Sequence, residues 1–180
     1  MQKSFRIVFA AALIGLGIWA WRMWFPSPEN VIRSRLLKLA RTASFDATDR
    51  TLSKGLKVYE LLDYFTPDVV INLNVRGIEV HTLNGRDELQ QAALAAANSE
   101  AARGLKVEFL DIDVTLGPDR QTATVNLTGE ATVAAERDLI VQKFNFLLKK
   151  VEGKWLIYRV EAVKVLSRSQ TVRRIQRVPA

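Results

Sequence analysis

The chain has 180 residues, 48% of them hydrophobic and 25% charged, which is the profile of one ordinary folded domain with an appendage and excludes extended disorder. The net charge of +7 is concentrated at the ends, with +6 in residues 1–41 and +4 in residues 167–180, so the body between them is mildly acidic at −3. That distribution excludes a nucleic-acid surface built on the fold, and the absence of cysteine excludes disulfides, thiolate metal sites, a Cys nucleophile and a lipidated signal sequence.

From Ile7 to Trp21 no residue is charged, and Met23, Trp24 and Phe25 carry the apolar stretch past Arg22. The nineteen residues from Ile7 to Phe25 amount to about 28 Å of helix against a hydrocarbon thickness of about 30 Å, which predicts a single membrane-spanning helix. Trp19, Trp21 and Trp24 suit the interface at one end, where Arg22 can snorkel, and Pro26 and Pro28 stop the helix. Large aromatics occupy the place of a small-residue cleavage site, so a retained anchor over residues 1–27 is preferred to a cleaved signal peptide. Lys3 and Arg6 on the short side compete with Arg22, Arg33, Arg35 and Lys38 on the other; the short polar leader orients the N-terminus inside and the domain outside the cytoplasm. The expected location is therefore a membrane, crossed once, with the lipid bilayer as a partner.

Residues 28–166 are expected to form one α+β domain. Ser27-Pro28-Glu29 combines a hydroxyl cap, proline at the first helical position and an acid near the positive end of the helix dipole. The helix it starts places Ile32, Leu36, Leu39, Ala40 and Ala43 on one face, and Arg35, Lys38 and Arg41 on the other. A second helix is predicted around Leu52, Leu56, Tyr59, Leu62 and Phe65, ending before Thr66-Pro67. The period then changes to two: residues 69–75 and 77–83 read as short strands, and a third helix follows from Gly85 with Asn84 as candidate cap. Four long strands come next, Leu105 to Leu116, Gln121 to Val133, Leu139 to Val151 and Lys154 to Leu166, with turns at Gly117-Pro118-Asp119 and Glu152-Gly153. Residues 167–180 read as a basic, disordered tail, with headgroup binding as a minority reading.

If Glu152-Gly153 is a two-residue turn, a regular ladder sets Leu148 opposite Ile157, Phe146 opposite Arg159 and Phe144 opposite Glu161. One face would then hold Phe144, Phe146, Leu148, Trp155 and Ile157 together with Gln142, Arg159 and Glu161. Arg159 and Glu161 become the leading pair for binding a polar ligand group, weighed against mutual neutralisation at a rim or a dimer interface. His81 is the only histidine, and no metal-binding spacing or Ser-His-Asp arrangement is present in the sequence. Asp111 and Asp113 share a predicted strand face with Phe109 and read as exposed. No catalytic residue, metal or cofactor is assigned.

The order of helices, Phe65-Thr66-Pro67-Asp68-Val69-Val70, a short hairpin, the Gly85-Arg86-Asp87-Glu88-Leu89 helix start and four strands closing on Gly153-Lys154-Trp155-Leu156-Ile157 resembles the NTF2-like (SnoaL-like) superfamily over about residues 45–166. The resemblance implies a strongly curved antiparallel sheet wrapped around helices into a cone, with an apolar pocket in many members and dimerisation through the sheet. It also resembles, in its anchor-plus-cone plan, the bitopic periplasmic subunits of type IV secretion systems. In ketosteroid-isomerase-like members an acidic base stands where this chain has Ile71-Asn72-Leu73-Asn74, and asparagine cannot abstract a proton at neutral pH. The expected function is a membrane-tethered, non-catalytic module for protein assembly or small-ligand binding, as a homodimer through the sheet or with other membrane-complex subunits. The alternative is a pocket enzyme of the isomerase or dehydratase type. The ligand-pocket candidates are Gln142, Arg159, Glu161, Tyr64 and Asn72.

Overall fold

A computed structural model describes residues 27–73, 81–133 and 139–163. The expected anchor, apart from Ser27, and the basic tail lie outside the described residues. Among the described residues, no helix is long and apolar enough to cross a membrane.

Helix α1 spans Pro28–Thr42 and begins as the sequence dictates, with Pro28 at its first position, Glu29 in the first turn and the Ser27 hydroxyl accepting the Asn30 amide at 3.4 Å. Its expected stripe is the buried one: Ile32, Leu36, Leu39 and Ala40 all face the core. Helix α2 spans Thr51–Leu62 and buries Val58 and Leu62. Here the expected face is corrected, because Leu52, Leu56 and Tyr59 are 78%, 62% and 58% exposed. The helix carries apolar residues on two sides, and the side bearing Val58 packs with Phe45 and with Ala93, Leu94 and Ala97 of the third helix, leaving the other side in solvent. Phe65 does not end this helix either; it opens strand β1, Phe65–Leu73.

Strand β2, His81–Asn84, leads into helix α3, Gly85–Asn98. Gly85 makes the turn with φ of +81°, a conformation that disfavours a side chain. The cap is not the expected Asn84 side chain: the Glu88 carboxylate accepts the Asn84 amide at 2.7 Å. A short 3-10 turn at Glu100–Ala102 precedes the long strands β3 (Leu105–Leu116), β4 (Thr122–Val133), β5 (Leu139–Val151) and β6 (Lys154–Val163). All six strands form one sheet in the order β2-β1-β6-β5-β4-β3, antiparallel except for the β1/β6 pair.

Two bulges set which side chains face inward. The β5/β6 hairpin starts in the expected register, with positive φ at Glu152 and Gly153, Val151 opposite Lys154 and Leu148 opposite Ile157. Leu147 then faces Arg159, so Tyr158 is an extra residue on β6. Beyond it Phe146 faces Val160 and Phe144 faces Ala162, which corrects the expected Phe146–Arg159 and Phe144–Glu161 pairs. A one-residue insertion moves every later side chain to the opposite face. Val160 enters the core, and Arg159 and Glu161 leave it. The same thing happens in β3, where Asp111 and Ile112 together oppose Leu127 and Asp111 takes φ of +49°. Ile112 is thereby buried and Asp113 turns away from the face of Phe109, against the expected grouping of those residues.

The inner face of the sheet contributes Ala123, Val125, Leu127, Phe146, Leu148, Trp155, Ile157 and Val160 to a cluster with Ile32, Leu36, Leu39 and Leu62. Edge-on rings at Phe109–Phe146 and Phe144–Phe146, 5.8 and 6.0 Å apart, continue it toward Gln142. Each large side chain buried here stabilises by roughly 1.5–3 kcal/mol relative to exposure.

Candidate functional site

On the concave side of the sheet, where a pocket would form, the described residues Phe109, Phe144, Phe146, Trp155 and Val160 belong to the packed core cluster. Ile71, and not Asn72, points inward from β1 and is buried in the core. Gln142 lies on the inner face of β5 and is buried, but its amide donates to the backbone carbonyls of Val163 at 2.6 Å and Lys143 at 3.2 Å. Opposite it stands Gly129, where a Cβ would come within 2.8 Å of the Phe144 ring. That close approach lets the ring lie across β4, and it fills the space beside Gln142.

Tyr64 lies elsewhere, between α2 and β1. Its ring sits under the Arg35 guanidinium at 4.8 Å, and Arg35 also donates to the Asp63 carbonyl at 2.7 Å. The two residues line a surface groove of about 540 Å³ with Asn30, Ser34, Lys38 and Glu60. A second groove of about 450 Å³ runs between α1 and the edge strand β3, walled by Leu37, Ala40, Phe109 and Leu110.

Asn72, Arg159 and Glu161 are brought together, on the outer face. Arg159 and Glu161 pair at 3.7 Å with 46% of each side chain exposed, a geometry worth well under about 1 kcal/mol. Asn72 faces Glu161 across the parallel β1/β6 ladder and accepts the Thr82 hydroxyl at 3.0 Å. The sequence-predicted candidates therefore split: two lie in or beside packed regions, three on the outside.

The outer face holds a feature that the sequence does not reveal. Thr82, Asn72, Glu161, Asn145, Asn126 and Asp113 are consecutive cross-strand neighbours, one from each of the six strands, and all are polar. Asn145 donates to Asn126 at 3.2 Å, while its own carbonyl oxygen is shielded and has no donor. Flanking this row are half-buried Val70, Leu147, Leu156 and Tyr158. Lys149 stands over the Tyr158 ring at 5.6 Å and reaches Asp68 at 3.3 Å. The bulges at Asp111 and Tyr158, with the register shift between Phe65 and Val70 in the β1/β6 pair, bring the row into line, so strict alternation along each strand could not have found it.

Among the described residues, no three His, Asp or Glu side chains converge on a metal-binding position. No protein-family model matches the sequence, and no curated protein matches it. Solved structures do match. An NTF2-like protein of unknown function from Pseudomonas putida superposes with a TM-score of 0.59 at 9% identity, covering 78% of this chain and 89% of that one. The fold is NTF2-like. An NTF2-like protein of unknown function from Shewanella oneidensis gives 0.56 at 16% identity over 76% and 98% of the two chains. A domain of unknown function with a cystatin-like fold from Nostoc punctiforme gives 0.59 at 14% identity over 80% and 81%. At these identities the likeness establishes the NTF2-like architecture and leaves function to the site.

Proposed function

We propose that this chain is a membrane-tethered, non-catalytic NTF2-like module whose work is protein assembly at a membrane surface, through the outer face of its sheet. The observation that carries the reading is the division between the two faces. The inner face is packed with Phe144, Phe146, Trp155 and Val160, while the polar candidates Asn72, Arg159 and Glu161 lie outside beside half-buried Val70 and Leu147. A mixed surface of polar and half-buried apolar groups is the composition of an assembly interface, and a shielded amide oxygen awaiting a donor is a group that a partner can satisfy. The tether in this reading is the apolar segment Ile7 to Phe25, which precedes Pro26, Ser27 and α1 in the sequence. A second copy of the chain and other membrane-complex subunits are both accommodated by this reading.

The test is purification of the full chain from native membranes, with co-purifying chains and small molecules identified by mass spectrometry. Retention in the membrane after an alkaline wash, with protein partners lost on Asn145→Arg, is the expected result. A stoichiometric small molecule that stays bound in Asn145→Arg and leaves no protein partner would overturn it.

A further inference from the structure

We propose that the exposed stripe of α2 is the docking surface for α2 of a second copy of this chain, the two helices running antiparallel about a two-fold axis close to Leu56. Leu52, Leu56 and Tyr59 recur at spacings of four and three on one face of the helix and are the large apolar side chains most exposed on it. Such a stripe is what a second helix packs against. On its shoulder sits Gly55, which has nothing within 4 Å of where a Cβ would be. A mid-helix glycine weakens a helix relative to alanine, and here it leaves room for another backbone to close in.

Charge decides what the second helix is. Favourable helix ends carry acids at the N-terminus and bases at the C-terminus. In α2 this is reversed: Arg50 and Lys54 lie at the start, Glu60 and Asp63 at the end, with no acid in the first turn, no base in the last and no side-chain cap. Asp49, the acid before the helix, is engaged by Lys57 at 2.7 Å, and Lys54 donates to the Ala97 carbonyl. An antiparallel copy corrects both ends at once. With Leu56 beside Leu56 of the second copy, Leu52 meets the copy's Tyr59, and each Arg50 lies near the copy's Asp63 and Glu60.

This deepens the assembly reading by naming a second copy as one partner and α2 as its seat. Together with a sheet contact it gives each chain two self-complementary surfaces, from which extended arrays and not only closed pairs can grow.

The experiment uses the full chain in detergent micelles. The chain has no cysteine, so Leu56→Cys near the axis is expected to cross-link copies on mild oxidation, whereas Ala96→Cys on exposed α3 is not. In sedimentation, Leu56→Asp is expected to weaken self-association on the order of tenfold or more, the effect of removing a central anchor. Arg50→Glu and Asp63→Arg each weaken it, and the double reversal restores it. Each single reversal also improves its own helix dipole, so thermal unfolding of the dissociated chain is unchanged or improved, an outcome that simple misfolding would not give. Equal cross-linking of Leu56→Cys and Ala96→Cys, or no restoration in the double reversal, would overturn the proposal. So would a wild-type chain that sediments as a monomer. If Asn145→Arg dissolves the assembly and Leu56→Asp does not, the α2 proposal falls while the sheet-face reading stands.

Discussion

In α1, Ile32, Leu36 and Leu39 lie at helical spacing and are buried under the sheet; in α2, Leu52, Leu56 and Tyr59 lie at much the same spacing and stand in solvent. What separates the helices is the rest of their surface. The opposite side of α1 is charged, with Arg33, Arg41 and Lys38 exposed, so one orientation is far better than any other. In α2 a second apolar side bears Val58, which meets Phe45 and α3, and Leu62, which joins the main core. An apolar stripe specifies burial only when the helix has nothing else to bury.

The contrast can be broken by substitution. Leu36→Ala is expected to destabilise by about 2–5 kcal/mol, the cost of a cavity in a close-packed core, whereas Leu56→Ala changes the stability of the dissociated chain by no more than about 0.5 kcal/mol. Denaturant unfolding measures both, and similar costs would mean that α2 packs by its Leu56 side. The sheet offers the same contrast at the β6 bulge. Val160→Asp buries an unpaired carboxylate and should cost more than about 3 kcal/mol, while Arg159→Ala should stay within about 0.5 kcal/mol. A regular ladder without the Tyr158 bulge would reverse that order.

Smaller effects sharpen the comparison within the helices and at their ends. Gly55→Ala is expected to raise the stability of the dissociated chain by about 0.5–1 kcal/mol, since its Cβ meets nothing within 4 Å. If the helices associate as proposed, the same change weakens association. Ser27→Ala should cost about 0.5–1 kcal/mol by removing the acceptor for the Asn30 amide, read from thermal unfolding. The smallest effect belongs to Asp49. Hydrogen bonding from Lys57, and then from the Asp46 backbone, holds its carboxyl below the ordinary range. A lowered folded value stabilises above the unfolded pKa of about 3.9 and is lost as pH falls through the folded value. Asp49→Asn should therefore flatten part of the stability loss below about pH 4, by less than about 1 kcal/mol for a partly exposed pair.

Much of the fold is legible along the chain. Pro28 after Ser27 starts α1, Gly85 marks the turn into α3, and Glu152-Gly153 sets the last hairpin, because each acts on its own backbone within a few residues. The candidate site was less legible. Gln142 lies on the inner face as simple alternation expects, but the Tyr158 bulge carries Arg159 and Glu161 to the other face. Nothing in Ile157-Tyr158-Arg159 marks a bulge, since the alternation is polar or aromatic on both sides of it.

The sequence by itself determined the order of helices and strands, the turns that join them, the buried stripe of α1 and the expectation of a membrane tether, all of which follow from local periodicity and composition. Tertiary structure decided which side of α2 packs, which side chains of β3 and β6 face inward, and hence that Thr82, Asn72, Glu161, Asn145, Asn126 and Asp113 form one row. These are choices between local conformations of similar energy. They are settled by side chains distant in the chain, such as Phe146 and Val125, that must fill one close-packed interior together.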